Sequence, residues 1–364
     1  MTTRARDFGL PLPGRPGPHN AITDVPGVEV GYETLVAGED VRTGVTAVLP
    51  RGREQVHAPC AAGLHSLNGN GEMTGSHWIA ETGSLRLPVL ITNTHAVGPC
   101  HRGVVDWVAR ERPDLAREWL LPVVAETWDG YLNDINGPHV SAEHAIAAID
   151  AAHGGAVAEG AVGGGTGMIC YGFKGGTGTA SRTVGYGPDT YTVGALVQAN
   201  FGERRELTVG GIRVGDALAD VDPIGTLAQG TPVETVPPGA GSVIVVVATD
   251  APLLPGQCAA FARRVPLGLG RTGTSGSHFS GDIFLAFSTA NAGALTSGFP
   301  AGEPGYETLR FVPWNRLDPF FEAVVQAVEE AVLNALVAAR DMTGRDGHRA
   351  PALPHDRLRA LVTA

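Results

Sequence analysis

The sequence predicts an α/β (α+β) fold in which β-sheets and helices are layered. Two segments carry most of this prediction. The segment SVIVVVATD, from Ser242 to Asp250, is short, apolar and rich in β-branched residues, which is typical of a buried strand. The segment from Pro319 to Arg340 repeats apolar residues at helical spacing. Because strand-like segments occur with helix-like segments before and after them, a layered arrangement is predicted.

The N-terminal half is predicted to consist mostly of strands. It starts with about 20 residues rich in Pro and Gly, and short β-like runs separated by Gly-containing turns follow. Two helices are predicted later, the second with Ser141 as its N-cap. The predicted elements are strands between Ala21 and Pro50, strand-like pieces over 60–100 that end at Leu87–Thr92, and helices at Gly103–Arg110 and Ala142–Ala152.

The C-terminal half is predicted to alternate strands and helices around glycine-rich connections. Gly160–Gly178 is the segment densest in glycine, and a predicted loop over 202–240 ends at Gly241. Gly and Ser also dominate Gly268–Gly281, which is predicted as a connection. The predicted elements are strands at Tyr191–Ala199, Ser242–Asp250 and Asp282–Ser288, and helices at Leu254–Arg264 and Pro319–Arg340.

The composition excludes several classes of protein. Of the 364 residues, 43% are hydrophobic and 17% are charged, which is too apolar a mixture for a disordered chain. The 51 glycines show no three-residue period, so the chain is not collagen-like. A formal net charge of −11 without a basic stripe argues against nucleic-acid binding. Because no apolar run reaches about 18 residues, no membrane span is predicted.

The cysteines and the first residues predict a cytoplasmic protein. Cys60, Cys100, Cys170 and Cys258 lie far apart and form no C-x-x-C pair, which favours reduced thiols over a disulfide framework. The start of the chain lacks the apolar core of a secretory signal. Lys174 is the single lysine among 26 basic residues, so it is a candidate for a role that Arg cannot fill.

Two motifs resemble cofactor or metal sites, but the sequence around each of them does not fit such a site. Gly268–Gly273 matches G-x-G-x-x-G, but it follows a helix-like segment, whereas dinucleotide binding needs a strand before the glycines. His139, Glu143 and His144 do not have the H-E-x-x-H order and are better interpreted as solvated residues at the start of a helix. We therefore predict neither a metal nor an organic cofactor.

A series of motifs in one order carries a resemblance over almost the full length of the chain. They are NAITDVPGVEVGY (Asn20–Tyr32), RTGVTAVLPR (Arg42–Arg51), ETWDGYLNDING (Glu126–Gly137), GGGTGMICYGFKGGTGTASR (Gly163–Arg182), VGALVQANFG (Val193–Gly202), GSVIVVVATDAPL (Gly241–Leu253), SGDIFLAFSTAN (Ser280–Asn291) and MTGRDG (Met342–Gly347). In these motifs the chain resembles the family of the L-aminopeptidase D-Ala-esterase/amidase. That family also contains β-aminopeptidases and nylon-oligomer hydrolases, and its members resemble N-terminal-nucleophile hydrolases.

The resemblance implies both a fold and a self-processing reaction. The implied fold is a four-layer αββα sandwich formed as one domain over residues 1–364. The precursor would cleave itself between Gly241 and Ser242, which gives an α chain of 1–241 and a β chain of 242–364. Ser242 would then be N-terminal, so that its hydroxyl is the nucleophile and its α-amine the base.

The residue types at this bond suit that chemistry. A Ser hydroxyl is a weak nucleophile and needs an adjacent base. An α-amine, with a pKa of about 7.7–8.0, fits that task at neutral pH better than a lysine side chain, with a pKa of about 10.4. Gly241 has no Cβ and tolerates unusual backbone angles, which lets the Ser242 hydroxyl reach the preceding carbonyl.

The resemblance assigns further residues to the nucleophile. Ser280 and Asp282 match positions that orient the nucleophile and its amine, and some relatives carry Glu in place of Asp282. Asn200 matches an oxyanion-hole residue, where a fixed donor is worth about 10²–10³ in rate. Tyr131 matches a second residue that can donate to the oxyanion. These four residues complete the predicted machinery around Ser242.

Two charged residues are assigned in the same way. Lys174 matches a lysine near the nucleophile in nylon-hydrolase relatives, where a cation favours a neutral amine. An aminopeptidase must also bind the ammonium of its substrate, for which Glu126, Asp129 and Asp134 supply carboxylates. Glu126 is favoured among them by its position in the motif.

The predicted function is a serine aminopeptidase, amidase or esterase. It would release N-terminal amino acids of the L-, D-Ala or β-amino acid type from short peptides, amides or esters through an acyl-enzyme on Ser242. The predicted partners are a small substrate with a free amine and other copies of a homo-oligomer of αβ units, with no nucleic acid and no membrane. The alternatives are an ω-amino oligomer amidase, which in relatives carries Thr as nucleophile, an N-acyltransferase, and a non-catalytic small-molecule binding protein of the same fold.

Overall fold

The computed structural model of the chain describes residues 3–221, 241–300 and 302–363. Its strands, in chain order, are β1 (Glu29–Ala37), β2 (Val41–Leu49), β3 (Cys60–Ser66), β4 (Ser84–Leu85), β5 (Val89–Asn93), β6 (Val123–Thr127), β7 (Ile169–Cys170), β8 (Phe173–Lys174), β9 (Gly176–Tyr186), β10 (Asp189–Asn200), β11 (Thr208–Val209), β12 (Ile212–Arg213), β13 (Gly241–Thr249), β14 (Ser280–Ser288), β15 (Met342–Thr343) and β16 (Arg349–Ala350). Its α-helices are α1 (Ser76–Thr82), α2 (Val97–Glu111), α3 (Ala142–Asp150), α4 (Pro255–Ala262), α5 (Val265–Arg271), α6 (Asp318–Ala338) and α7 (His355–Val362).

Two sheets form the centre of the molecule. One has four strands in the order β1-β2-β5-β6, and the other has six in the order β4-β3-β14-β13-β10-β9. The pair β13 and β14 is parallel, whereas β13 with β10 and β14 with β3 are antiparallel. β13 therefore lies in the interior of the larger sheet, with hydrogen-bonded neighbours on both sides.

The side chains of β13 show how the layers are stacked. Successive side chains of a strand point to opposite faces of the sheet. Val243 and Val245 belong to a core shared with α6, whereas Ile244 and Val246 belong to a core shared with the four-stranded sheet. This burial on both faces explains why the segment reads as a continuous apolar run.

The outer helices complete the sandwich. A third core packs α2 and α3 against the outer face of the four-stranded sheet, with Trp107 at its centre and fully buried. On the other side, α6 starts with Pro319 in its first turn, where a proline is tolerated, and is buried over most of its surface. The layers are helix, sheet, sheet and helix, which confirms the predicted four-layer αββα sandwich.

Most predicted elements are confirmed, but the start of one helix is wrong. The helix predicted at Gly103–Arg110 begins at Val97 instead. Pro99 lies in its first turn, where the missing N–H has no helical partner to lose, so the proline that suggests an interruption belongs to the helix. The short helix α1 lies within residues 60–100, where only strand-like pieces are predicted.

The predicted connection Gly268–Gly281 is also partly wrong, because its first residues belong to α5. A Cβ added at Gly268 would lie 2.8 Å from the Val325 carbonyl oxygen of α6. This glycine therefore allows two helices to pack closely and does not mark a turn. Gly268 and Gly270 lie in a helix that follows α4, so they do not form the strand-to-helix turn of a dinucleotide site.

The predicted loop over 202–240 is described only in part. The short antiparallel pair β11 and β12 lies within 202–221, and residues 222–240 lie outside the described ranges. The strand predicted at Ser242–Asp250 is confirmed as β13, which spans Gly241–Thr249 among the described residues. In the part of the chain that the structure describes, none of the helices has the length and apolar character needed to cross a membrane.

Candidate active site

Ser242 lies where three adjacent strands bring predicted site residues together. It is the second residue of β13 and pairs with Asn200, the last residue of β10. On the other side, Gly241 pairs with Ser280 and Val243 pairs with Asp282, both on β14. Residues far apart in the sequence are neighbours here because the ends of β10, β13 and β14 coincide.

A cavity of about 490 Å³ opens onto Ser242. The Ser242 side chain is buried, and its Oγ accepts a hydrogen bond from the backbone N–H of Trp128 at 3.2 Å. None of the described residues that line the cavity is Lys, Arg or His, and two of them, Glu72 and Glu126, carry carboxylates. The cavity therefore suits a small ligand that carries a positive charge. The lining residues are Gly69, Asn70, Gly71, Glu72, Thr94, Glu126, Trp128, Gly241, Ser242 and Phe279.

Ser280 and Asp282 form a buried hydrogen-bonded pair on the strand next to Ser242. The Ser280 hydroxyl donates to Asp282 Oδ1 at 2.5 Å, and Asn68 Nδ2 donates to Asp282 Oδ2 at 3.0 Å. Burial raises the pKa of the Asp282 carboxyl, and hydrogen bonds from Ser280, Asn68 and the backbone N–H of Val243 oppose that rise. The pair can therefore hold a carboxylate where burial alone would favour the neutral acid.

Asn200 is held by peptide groups on two sides. Its Oδ1 accepts from the N–H of Ile169 at 2.9 Å, and its Nδ2 donates to the carbonyl of Trp128 at 2.8 Å. Since the N–H of Trp128 donates to Ser242, the Trp128 residue connects the predicted nucleophile to the predicted oxyanion donor. An amide nitrogen carries two hydrogens, so the bond to Trp128 uses only one of them.

Glu126 is the predicted site carboxylate that the structure places in the cavity wall. It lies on β6, is only 2% exposed, and accepts hydrogen bonds from the Glu72 N–H at 2.9 Å and from the Thr94 hydroxyl. Burial raises the pKa of the Glu126 carboxyl, the hydrogen bonds from Thr94 and Glu72 lower it, and the nearby Glu72 charge raises it further. The other two candidates lie elsewhere: Asp129 is buried against Asn133, and Asp134 contacts His139.

Tyr131 lies behind the cavity and not in its described wall. Its ring stacks on His348 with the centroids 4.5 Å apart, and its carbonyl accepts from His348 Nδ1 at 2.7 Å. It belongs to a small apolar cluster that Trp128 and Ile169 flank. Both of these flanking residues bond Asn200 through their backbone, so Tyr131 packs against the peptide segments that hold the Asn200 side chain.

Lys174 is buried completely and bonds three backbone carbonyls. Its Nζ donates to Met168 at 2.8 Å, Gly175 at 2.9 Å and Gly165 at 3.3 Å. Burial lowers the pKa of this lysine to about 7, against the smaller effects of Cys170 and Asp129. Its bonds in the described chain therefore stay within the glycine-rich segment that contacts Asn200 and do not reach Ser242.

We expect Lys174→Arg to lower turnover by about 10- to 100-fold, because a displacement of about 1 Å near the chemistry has effects of this size. A guanidinium is larger than the ammonium that the three carbonyls enclose, and overpacking a buried site costs about 1–3 kcal/mol of stability. Steady-state hydrolysis and the thermal unfolding midpoint measure the two effects. Lys174→Met, which keeps the length without the charge, is the matched control. Wild-type turnover in Lys174→Arg would show that the choice of lysine has no functional basis.

Gly241 has no space for a side chain. A Cβ added there would lie 2.2 Å from the Asn200 carbonyl oxygen of β10. Gly281 is similar, because a Cβ there would lie 2.2 Å from the carbonyl oxygen of Asn70. Both glycines therefore allow close approach of other backbone segments to the site.

Several residues that line or support the site carry no clear signal in the sequence. Trp128 lies inside the motif Glu126–Gly137, but nothing in its local sequence indicates that its backbone N–H and carbonyl bond Ser242 and Asn200. Asn68 and Glu72 belong to the run Asn68–Glu72, whose alternating Asn and Gly could have indicated a loop close to other backbone. In the described residues no group of three or more His, Cys, Asp and Glu side chains is arranged to hold a metal ion.

Comparisons with known proteins agree with the geometry. The family model described as peptidase family S58 matches residues 20–350. A β-peptidyl aminopeptidase BapA from Sphingosinicella microcystinivorans is 52% identical over 370 residues, which cover 99% of this chain and 91% of that protein. A BapA from Sphingosinicella xenopeptidilytica is 43% identical over 372 residues, which cover 99% of this chain and 91% of that protein.

Two solved structures share the whole fold. A β-aminopeptidase from Burkholderia sp. has a TM-score of 0.90 at 45% identity, over 99% of this chain and 98% of that one. The L-aminopeptidase D-Ala-esterase/amidase of Ochrobactrum anthropi, a prototype of the serine aminopeptidases with a variant of the Ntn hydrolase fold, has a TM-score of 0.89 at 46% identity over the same shares. These matches confirm the resemblance, and they do not favour the acyltransferase, nylon-type or non-catalytic alternatives. The chain belongs to peptidase family S58, as an enzyme of the serine aminopeptidase type.

Proposed function

We propose that this chain cleaves itself before Ser242 and then releases N-terminal amino acids from short peptides, amides or esters. The observation that carries the proposal is the cavity that joins Ser242 to the buried carboxylate of Glu126. A nucleophile and an anion in one small cavity suit a substrate whose free ammonium lies close to the bond that is cut. Since the curated relatives are named β-peptidyl aminopeptidases, we include β-amino acids with L- and D-Ala among the residues released.

The proposed self-cleavage uses the Ser242 hydroxyl against its own preceding carbonyl. Oγ attacks the carbonyl carbon of Gly241, the C–N bond breaks, and the nitrogen takes up the proton, which leaves an ester and a free amine. Water then hydrolyses the ester to give an α chain of 1–241 and a β chain of 242–364. The lack of space for a Cβ at Gly241 supports a glycine at this position.

In the mature enzyme, the Ser242 amine acts as the base. It accepts the hydroxyl proton as Oγ attacks the substrate carbonyl, and it returns that proton to the leaving amine or alcohol. Asp282 orients the Ser280 hydroxyl, whose lone pairs then accept from the Ser242 amine. The second Nδ2 hydrogen of Asn200 donates to the oxyanion, and Tyr131 supports it. Water completes the cycle by hydrolysing the acyl-enzyme.

The mass of the purified protein under denaturing conditions tests the proposal. We expect two fragments that meet between Gly241 and Ser242, together with hydrolysis of alanine amides that have a free amine. A panel of L-Ala, D-Ala, β-Ala and ω-amino amides then ranks the substrates. A chain that stays whole after long incubation, or fragments that meet at another bond, would refute the self-cleavage.

We expect Glu126→Gln to lower kcat/KM for free-amine substrates by about 30- to 100-fold, mostly through KM. The change keeps the shape but replaces the charge, and a hydrogen bond to a charged group contributes about 1.5–3 kcal/mol. The measurement is the ratio of kcat/KM for alanine amide to that for N-acetylalanine amide. This ratio should fall in Glu126→Gln and stay unchanged in Asp134→Asn, because Asp134 contacts His139 and does not line the cavity. An unchanged ratio in Glu126→Gln would assign the ammonium to another group.

We further propose that the αβ units form a homo-oligomer in the cytoplasm. Phe299, Tyr306 and Trp314 are large apolar side chains exposed on the described surface, which supports a partner there. All four cysteines are buried as free thiols, which supports a reducing compartment. Light scattering on the purified enzyme measures the number of units, and a monomeric mass would contradict the proposed assembly.

A further inference from the structure

The segment Asn68–Glu72, which follows β3, contacts both carboxylates of the proposed site. At one end, Asn68 Nδ2 donates to Asp282 Oδ2 at 3.0 Å. At the other end, the Glu72 N–H donates to Glu126 Oε1 at 2.9 Å. A short stretch of chain thus connects the carboxylate behind the nucleophile to the carboxylate that faces the substrate.

We propose that Asn68 is a positioning residue that keeps Asp282 ionised and oriented toward Ser280. The proposal rests on the proposed function, in which Ser280 and Asp282 orient the Ser242 amine. The two oxygens of Asp282 have different partners, since Ser280 donates to Oδ1 and Asn68 to Oδ2. Asn68 thereby prevents the carboxylate from rotating and leaves Oδ1 for the Ser280 hydroxyl.

Asn68 is itself fixed in the orientation that this role needs. Its Nδ2 also donates to the Ser277 carbonyl at 2.9 Å, so both amide hydrogens are engaged. The neighbouring Leu67 N–H donates to the backbone carbonyl of Asp282 at 2.9 Å, which holds the start of the segment against β14. Turning the amide over would place its oxygen against two acceptors, so the donor orientation is enforced.

The charge state of Asp282 depends on such donors. Burial raises the pKa of its carboxyl, and the hydrogen bond from Asn68 is one of those that lower it again. Removing this donor therefore raises the pKa of Asp282 further, so that the carboxylate is already protonated at a higher pH. Substitutions at Asn68 leave the other titratable groups on the surrounding elements in place. These groups are His65, Glu72, Glu126, His278 and, after cleavage, the Ser242 amine.

The test compares pH profiles of kcat/KM for alanine p-nitroanilide in the cleaved enzyme, since these profiles report groups of the free enzyme. We expect Asn68→Ala to move the acidic limb upward by about one pH unit, the size expected for one lost hydrogen bond to a charged group. Asn68→Asp should move it further, because it keeps the shape and places a second carboxylate beside Asp282. If Asn68→Ala does not fold, the pH profile of Asn68→Asp by itself tests the proposal.

Asn334→Ala is the matched control. Asn334 is also buried, but it lies on α6 outside the cavity lining, and its Nδ2 donates to the Thr179 carbonyl at 2.9 Å, not to Asp282. Its loss should lower the thermal unfolding midpoint without moving the acidic limb. If both Asn68 variants, Asn334→Ala and the wild type have the same acidic limb while Ser242-dependent hydrolysis persists, the role of Asn68 is overturned and the proposed function stands. A wild type without Ser242-dependent hydrolysis at any pH would overturn both.

Discussion

We expect Ser242→Ala to give a chain that stays in one piece and hydrolyses no peptide. Both reactions start from the same hydroxyl, and loss of the nucleophile in a serine hydrolase lowers kcat by about 10⁶-fold. The side chain is small, and its Oγ accepts one long hydrogen bond, from Trp128 at 3.2 Å, so the fold should be retained. Intact mass, hydrolysis of alanine p-nitroanilide and the thermal unfolding midpoint measure the three parts of this expectation.

A second buried serine provides the control. Ser288, at the other end of β14, is fully buried, and its hydroxyl donates to the Ala251 carbonyl at 2.6 Å. Ser288→Ala should cost stability because it leaves that carbonyl without its partner, yet it should keep both cleavage and turnover. Cleavage at the same bond in Ser242→Ala, or loss of both reactions in Ser288→Ala at a temperature where it is folded, would contradict the assignment of the nucleophile.

We expect Asn200→Ala to lower kcat by about 10²–10³ with little change in KM. A fixed donor of this kind acts mainly on the charge that develops in the transition state, and the loss of one such donor has effects of this size. Its Nδ2 already donates one hydrogen to Trp128, which fixes the direction of the second. Since self-cleavage forms the same type of oxyanion, the variant should also accumulate as uncut chain. Single-turnover kinetics and the uncut fraction over time measure both.

Asn200 also holds the segment 128–133 in place, because its Nδ2 donates to the Trp128 carbonyl. The variant Asn133→Ala separates this anchoring role from the proposed donation to the oxyanion. Asn133 is also buried, donates to Asp129 Oδ1 at 3.1 Å and accepts from the Arg42 N–H at 3.0 Å. It anchors the same loop, so its loss should lower the unfolding midpoint and reduce kcat by less than about tenfold. Equal losses of kcat in the two variants would show that Asn200 acts only as an anchor.

Local sequence was sufficient to predict the elements of the fold that are buried on every side. β13 and α6 are apolar because both faces of the strand and most of the helix surface lie in a core, so their composition alone identifies them. The boundary errors occur where glycine or proline serves packing or a helix start, as at Gly268 and Pro99. Glycine and proline each occur in several structural roles, and the role at a given position depends on contacts with residues that are distant in the sequence.

The motifs predicted the candidate site residues and favoured Glu126 among three carboxylates, and the tertiary structure shows how the surroundings of these three residues differ. Glu126, Asp129 and Asp134 are close in sequence and chemically alike. The fold places Glu126 in the wall of the cavity, buries Asp129 against Asn133 and pairs Asp134 with His139. Lys174 shows the same limit, since the sequence marks it as unusual and the structure shows the three carbonyls that enclose it.

By itself, the sequence determined the layered α/β class, the strand predicted at Ser242–Asp250 and the family, because these follow from composition, periodicity and motif order. Only the tertiary structure decided that the ends of β10, β13 and β14 coincide and that Asn68–Glu72 joins Asp282 to Glu126. The physical reason is that these contacts are long-range hydrogen bonds and close backbone approaches. Their partners are set by strand pairing within the six-stranded sheet and by the packing of that sheet against the other, and no local pattern in a Gly- and Asn-rich segment encodes them.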